Sequence, residues 1–407
     1  MNQRIEFCLK AVRGGNFRAL CREYGISAKS GYKWQERFLR HGIEGMEEES
    51  RRPHSHPERI GEEEEVCRMV GLKVAHPYWG PRKIRELYHR KYGRAASESS
   101  FKRILERSGL SQKRKRRLAS QSGRLSSGRK AQEPNQVWTV DFKGWWHDGS
   151  QRCEPLTVRD EYSRYLLELR ALDNARSETV RKSFERLFER YGLPEAMRSD
   201  NGSPFASRQA VHGLSRLSAW WVALGIDLER GRPGHPQDNG AHERLHRDIS
   251  LELEALGQVA QEGLEMWRQE FNQQRPHEAL GMRSPSQVYQ PSARKYRGGV
   301  EHLDYPQMLT RRVNQNGRIN WENHQLFISS SLAGWSVGLK PAHHGELEVW
   351  FARLLLGWID PHTVSFQRGD LHPKSDLKSV AGSQLTWGSA PNPGLGGTVE
   401  PGVGSTF

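Results

Sequence analysis

The sequence contains no run of eighteen or more apolar residues, which excludes a helical membrane span. Its first stretch, "MNQRIEFCLKAVRGG", has no uninterrupted apolar segment and does not read as a secretory leader. Cysteine is scarce: Cys8, Cys21, Cys67 and Cys153 are scattered through 407 residues, with no C-x-x-C spacing. That argues against a disulfide framework or a zinc knuckle and fits a reducing cytoplasm. No Ser-His or Cys-His constellation stands out, so chemistry that needs a protein nucleophile is not indicated.

Positive charge is abundant and unevenly placed. The formal charge is +14, yet residues 1–132 hold 31 Lys and Arg against 15 Asp and Glu, while the remainder holds 31 against 33. The basic excess lies entirely in the N-terminal third, where it suits a polyanion such as a phosphate backbone. A length of 407 residues implies two to four domains.

Residues 1–52 read as three short helices, with Gly25-Ile26-Ser27 as the break before "AKSGYKWQERFLR". A Gly stop followed by a Ser N-cap is helix-turn-helix grammar, and a plain three-helix bundle fits the pattern equally well. In the first reading Lys29, Ser30, Tyr32, Lys33 and Arg37 of the third helix face the major groove. A second such unit spans 58–111, with Pro81 opening one helix and Ser97 capping "ESSFKRILERSGL", whose outer face carries Lys102, Arg103 and Arg107. The linker 112–136 is almost devoid of apolar residues, and its run Lys113, Arg114, Lys115, Arg116, Arg117 suits phosphate neutralisation.

From residue 137 the pattern changes. "VWTVDFKG" alternates as a strand, with Trp138, Val140 and Phe142 on one face and Thr139, Asp141 and Lys143 on the other. Asp148-Gly149 signals a hairpin, and the order β-β-β-α-β-α-β-α over 137–292 indicates a mixed sheet flanked by helices. Residues 305–370 are strand-rich, include an Asn316-Gly317 hairpin signal and suggest a small β-barrel. The tail 373–407 is rich in Gly, Pro and Ser and reads as disordered. The expected fold class is therefore multidomain α+β.

Three carboxylates stand at element ends in the 137–292 region: Asp141 on the first strand, Asp200 after the strand "EAMRS", and Glu243 early in the helix after "RPGHPQDNG". Singly, each has an ordinary explanation as a solvated strand residue, a turn residue or a helix-start acid. In a sheet of this order the first and fourth strands are neighbours, so the three can converge. Such a cluster is unfavourable without a cation, and two Mg²⁺ or Mn²⁺ ions suit in-line displacement at phosphorus.

"VWTVDFKGWW", "RSDNGSPF", "RPGHPQDNGAHERLHRDI" and "QRPHEALGMRSPSQVY" resemble the catalytic core of DDE transposases of bacterial insertion sequences, most of all the IS481/IS3-like group. That group is related to retroviral integrases with an RNase H-like fold. "LCREYGISAKSGYKWQERF", "HPYWGPRKI" and "GRINWENHQLFISSSLAGWSVGL" extend the resemblance over most of the chain. The 42 residues between Asp200 and Glu243 suit the IS481-like branch. The resemblance implies that Asp141, Asp200 and Glu243 are metal ligands. It also implies that the chain cleaves and transfers DNA strands at the ends of an element as a multimer on double-stranded DNA. Asn201, Gly202, Asn239 and Gly240 then let the backbone pass close to the site, while His246 and Arg247 support it from the helix of Glu243. The other readings are a silent DNA-binding regulator or transposase remnant, and a metal-dependent nuclease on the same fold. The expected location is the bacterial cytoplasm, on the nucleoid.

Overall fold

The computed structural model describes residues 3–47, 63–111, 128–148, 151–231, 240–253, 257, 260–300, 303–342 and 345–369. The run 113–117, Asn239 and the tail 373–407 lie outside the described residues.

The first unit is α1 (Gln3–Val12), α2 (Phe17–Glu23) and α3 (Ala28–His41). Asn16 caps α2 by accepting from the Ala19 amide at 3.1 Å, and Ser27 caps α3 by accepting from the Ser30 amide at 3.1 Å. Gly25 turns the chain between them at φ +64°. Phe7, Cys8, Cys21 and Met46 form the core. The second unit is α4 (Glu63–Ala75), α5 (Pro81–Tyr92) and α6 (Glu98–Arg107). Pro81 opens α5, Ser97 caps α6, and Met69, Trp79, Ile84, Phe101 and Leu105 are buried together.

The central unit contains β1 (Val137–Phe142), β2 (Trp146–Asp148), β3 (Gln151–Asp160), β4 (Leu166–Leu172), α7 (Ser177–Tyr191), β5 (Ala196–Ser199), α8 (Arg216–Ala223), β6 (Asp227–Arg230), α9 (Gly240–Glu252) and α10 (Gln261–Gln273). β3 pairs antiparallel with β1, β2 and β4, while β1, β5 and β6 run parallel. This is the mixed sheet expected from the sequence, with the hairpin between Asp148 and Gln151. Ser177 is the first residue of α7 rather than its cap, which is Arg176. One face of the sheet buries Trp138, Val140, Leu156 and Val158 against Phe184, Phe188, Trp220 and Trp221 of α7 and α8. On the side of α9 and α10, Leu245, Ile249, Trp267 and Phe271 pack with Trp146, Leu166 and Leu169. The Trp145–Trp146 pair divides: Trp146 is buried, whereas Trp145 is 58 % exposed.

The C-terminal unit departs from the expected barrel. β7 (Leu309–Arg312), β10 (Ser336–Pro341), β11 (Leu347–Phe351), β12 (Leu354–Asp360) and β13 (Ser365–Arg368) form a five-stranded sheet in the order β13-β12-β11-β10-β7. β8 (Arg318–Trp321) and β9 (His324–Phe327) make a separate two-stranded ribbon. The sheet is open because its edge strands, β7 and β13, do not pair with each other. Asn316-Gly317 still turns the chain, with the Asn314 side chain accepting from the amides of Asn316 and Arg318. β7 nevertheless finds its partner in β10 instead of β8. The apolar side of this unit joins Val211, Leu214, Ala219 and Val222 around α8 in one cluster.

Candidate active site

β1 and β5 lie side by side, with Val137 opposite Ala196, Trp138 opposite Met197 and Thr139 opposite Arg198. The ladder ends there; Asp141 lies two residues beyond Thr139 and Asp200 two beyond Arg198, so the same register carried on would set them level. Asp141 thus stands near the carboxyl end of β1, and Asp200 directly follows the adjacent strand β5. Asp141 is half-buried and Asp200 exposed.

The loop after Asp200 is drawn tightly around it. Asn201 donates from Nδ2 to the Gly231 carbonyl at 2.7 Å, pinning the loop to the end of β6. A Cβ on Gly202 would lie 2.8 Å from Asp200 Oδ2, so only glycine leaves that carboxylate in place. Burial lowers the proton affinity of Arg230 on β6, and the Asp200 charge offsets this only in part.

Alternation on the sheet builds a polar face around Asp141. Thr157 lies opposite it across the β1–β3 pairing, so the two side chains share a face, and Arg159 pairs with Thr139 two residues along. Thr139, Thr157 and Arg159 are all buried. The Thr157 hydroxyl donates to the Asp141 carbonyl at 3.0 Å and lies 2.9 Å from His246 Nε2. This contact holds α9 over the polar face. Burial, with Lys143 and Arg159 nearby, pushes the His246 imidazole down to about 4. Burial, Arg159 and His246 hold His242 well below the usual histidine range. Both rings are therefore neutral at pH 7; because the Thr157 hydroxyl gives its proton to the Asp141 carbonyl, His246 Nε2–H donates to Thr157.

Glu243 lies one turn before His246 and is exposed. The structure does not bring it against the two aspartates: among the described residues, no group of three or more His, Cys, Asp or Glu side chains is arranged to hold a metal ion. Mutual repulsion of three carboxylates opposes such a cluster until a cation offsets it. Two hard oxygen donors on an open rim nevertheless fit Mg²⁺ or Mn²⁺, which retain several waters. Gly240 is the first residue of α9, and Arg247 is exposed on it.

The helix faces expected to meet DNA are placed unequally. Lys29 and Lys33 are exposed on α3, as are Lys102, Arg103 and Arg107 on α6. Tyr32 is exposed but stacks on Phe17 at 4.2 Å. Ser30 spends its hydroxyl on Ser27 at 2.9 Å, and Arg37 donates to the Glu47 carbonyl at 3.0 Å. Both are engaged within their own unit. Thr157, Arg230 and His242 are site neighbours that the sequence pattern did not single out, whereas Lys143 already shared the polar strand face with Asp141. Only Thr157 had a local signal, as a polar residue two positions from Arg159 in an apolar strand.

An integrase core domain matches residues 131–236, and a second integrase core segment matches 224–285. A helix-turn-helix domain matches 3–54 and a homeodomain-like domain 30–105. The uncharacterized 31.7 kDa protein of insertion element IS407 from Burkholderia multivorans is 28 % identical over 227 residues, covering 54 % of this chain and 79 % of that protein. The uncharacterized 39.2 kDa protein of insertion element IS476 from Xanthomonas euvesicatoria is 26 % identical over 226 residues, covering 54 % of this chain and 63 % of that protein. The catalytic core domain of BIV integrase superposes with a TM-score of 0.30 at 23 % identity, over 38 % of this chain and 93 % of that one, and adds nothing to the assignment.

An integrase core behind helix-turn-helix domains defines a DNA-binding enzyme of the polynucleotidyl-transferase type. Together with its insertion-element relatives, these domains support reading the chain as an IS3/IS481-like transposase that binds DNA and carries out strand transfer. Integrase cores are metal-dependent. Among the described residues no helix is long and apolar enough to cross a membrane.

Proposed function

We propose that Asp141, Asp200 and Glu243 hold two Mg²⁺ or Mn²⁺ ions, and that the chain uses them to cleave the ends of an insertion sequence and join them to target DNA. The observation that supports this reading is the parallel pairing of β1 with β5, which makes the strand of Asp141 the neighbour of the strand that Asp200 follows. Bound there, the cations supply charge neutralisation at phosphorus and lower the pKa of a coordinated hydroxyl.

The chain's own contribution is positioning. The Asp141 and Asp200 carboxylates fix one side of the scissile phosphate from a rigid sheet, and Glu243 closes from α9. In the first step a water oxygen bonds to phosphorus and the 3′ oxygen of the element end leaves as a hydroxyl. In the second, that 3′-OH attacks a target phosphodiester; the new P–O bond forms as the target's own 3′ oxygen departs. α3 and α6 read the element ends through Lys29, Lys33, Lys102, Arg103 and Arg107, with Lys113 to Arg117 as a phosphate-binding arm. Joining two ends requires at least two copies on double-stranded DNA, and the reaction takes place on DNA in the bacterial cytoplasm.

The test uses labelled duplexes from the DNA flanking the gene, with Mg²⁺ or Mn²⁺, and compares the chain with Asp200→Asn. Metal-dependent 3′-OH formation and joining to a plasmid, lost in the variant while duplex binding persists, is the expected result. Cleavage without joining would indicate a nuclease. Binding without cleavage in either metal would indicate a regulator or remnant.

A further inference from the structure

The second helical unit is seated on the core rather than merely tethered to it. His76 Nδ1 lies 3.0 Å from Glu270 Oε1 of α10, and Arg82 lies 3.4 Å from Glu278. Arg90 on α5 donates to the Gln274 carbonyl at 3.3 Å and also to that of Met282. Lys73 shapes the seating loop by donating to the carbonyls of Pro77 and Trp79, at 2.6 and 2.8 Å.

At the centre of this junction is Arg275, the residue that follows α10 and Gln274. Its side chain is 5 % exposed. One guanidinium nitrogen lies 2.7 Å from Asp248 Oδ2, and another lies 3.0 Å from both carboxylate oxygens of Glu252. Asp248 and Glu252 are one turn apart on α9, so a single planar fork grips the helix at two points. Glu252 is fixed in turn by the Trp267 indole at 2.8 Å. The same guanidinium carbon lies 5.9 Å from the ring centre of Trp79, a buried residue of the second helical unit. Lys83 of α5 also senses this cluster: burial and the Arg275 charge lower its ammonium to about 8, against the pull of Asp248.

α9 is the helix that carries Glu243, five residues before Asp248. Its seat is therefore shared between the core and a DNA-binding unit. We propose that Arg275 is a positioning residue that couples the docking of the second helix-turn-helix unit to the placement of Glu243 beside Asp141 and Asp200. This rests on Glu243 being a metal ligand. A DNA end held by α6 then steadies, through α5, Trp79 and Arg275, the helix that completes the metal site.

The test is an Mg²⁺ titration of 3′-end cleavage by the full chain on a labelled flanking duplex. Arg275→Lys keeps a charge but loses the two-pronged fork. It is expected to raise the half-saturating Mg²⁺ about tenfold, as loss of a group that orients a ligand does. Arg90→Met removes the docking contacts to Gln274 and Met282, together with an i,i+4 pair to Glu86 within α5, and is expected to raise it about fivefold. Melting temperature and duplex affinity should stay near those of the unaltered chain, which a purely structural role for Arg275 would not predict. A wild-type Mg²⁺ curve for Arg90→Met overturns the coupling, whatever Arg275→Lys does, and it remains decisive if Arg275→Lys proves unstable. Glu243→Gln is run in parallel: if it still cleaves, the proposed metal ligation fails and not the coupling alone.

Discussion

Thr157 and His246 meet at 2.9 Å across the space between β3 and α9, and the same threonine hydroxyl donates to the Asp141 backbone at 3.0 Å. One side chain therefore links the strand that carries Asp141 to the helix that carries Glu243. Thr157→Val keeps the shape and removes both bonds. It should slow cleavage about tenfold, as loss of a group that orients a ligand does, while the fold persists. Single-turnover cleavage rates alongside a thermal melt check this; an unchanged rate would show that α9 is held by apolar packing alone.

Gly202 makes the narrowest prediction at the rim. An alanine there would place its Cβ 2.8 Å from Asp200 Oδ2, and the carboxylate must rotate away. A displacement of about 1 Å at a reacting centre costs about 100-fold in rate. Gly202→Ala should therefore approach Asp200→Asn in cleavage while still binding duplex DNA and melting near the wild-type temperature.

Three histidines shielded from water set the response to acid, His242 among them, since burial holds it well below the usual histidine range. His246 is pushed down to about 4, chiefly by burial, and His277 down to about 2 by burial and the charges of Lys83 and Arg275. Unfolded, each takes up a proton near 6.5. Between the folded and unfolded values the unfolded chain binds more protons, so stability falls as pH drops below about 6.5 and continues to fall toward about 4. Urea midpoints should be lower at pH 5 than at pH 7, and His277→Phe should flatten the difference. Equal midpoints for the unaltered chain would contradict the burial of these rings as neutral species.

On the reading helices, Lys29 and Lys33 are exposed, whereas Ser30 and Arg37 are used internally. Replacing both lysines by Ala should weaken duplex binding and reduce the slope of log affinity against log salt by about two. Arg37→Ala should instead act first on the stability of the unit, read in a thermal melt.

Features written in local periodicity were legible from the residues alone. The alternation of Trp138, Val140 and Phe142 against Thr139 and Asp141 gives β1 and its two faces. The caps at Ser27 and Ser97 mark the starts of α3 and α6. The adjacency of β1 and β5 followed from element order. Pairings decided far along the chain were not legible. Asn316-Gly317 announces a turn, but nothing near it states that β7 joins β10, or that β7 and β13 stay apart and leave the sheet open. The junction of Arg275 with Trp79 joins residues almost 200 positions apart and has no period to betray it. Arg230 beside Asp200 was equally hidden, because its role arises only when β6 packs beside β5.

The account rests on Asp141 and Asp200 sharing a cation with Glu243. The most direct measurement is a titration of the full chain on flanking duplex with Mn²⁺, followed by the loss of its free-ion resonance. Two ions per protein chain are expected, with fewer bound tightly in Asp141→Asn, Asp200→Asn and Glu243→Gln. The same stoichiometry and affinity in all four proteins would contradict the account, because the three carboxylates would then hold no metal.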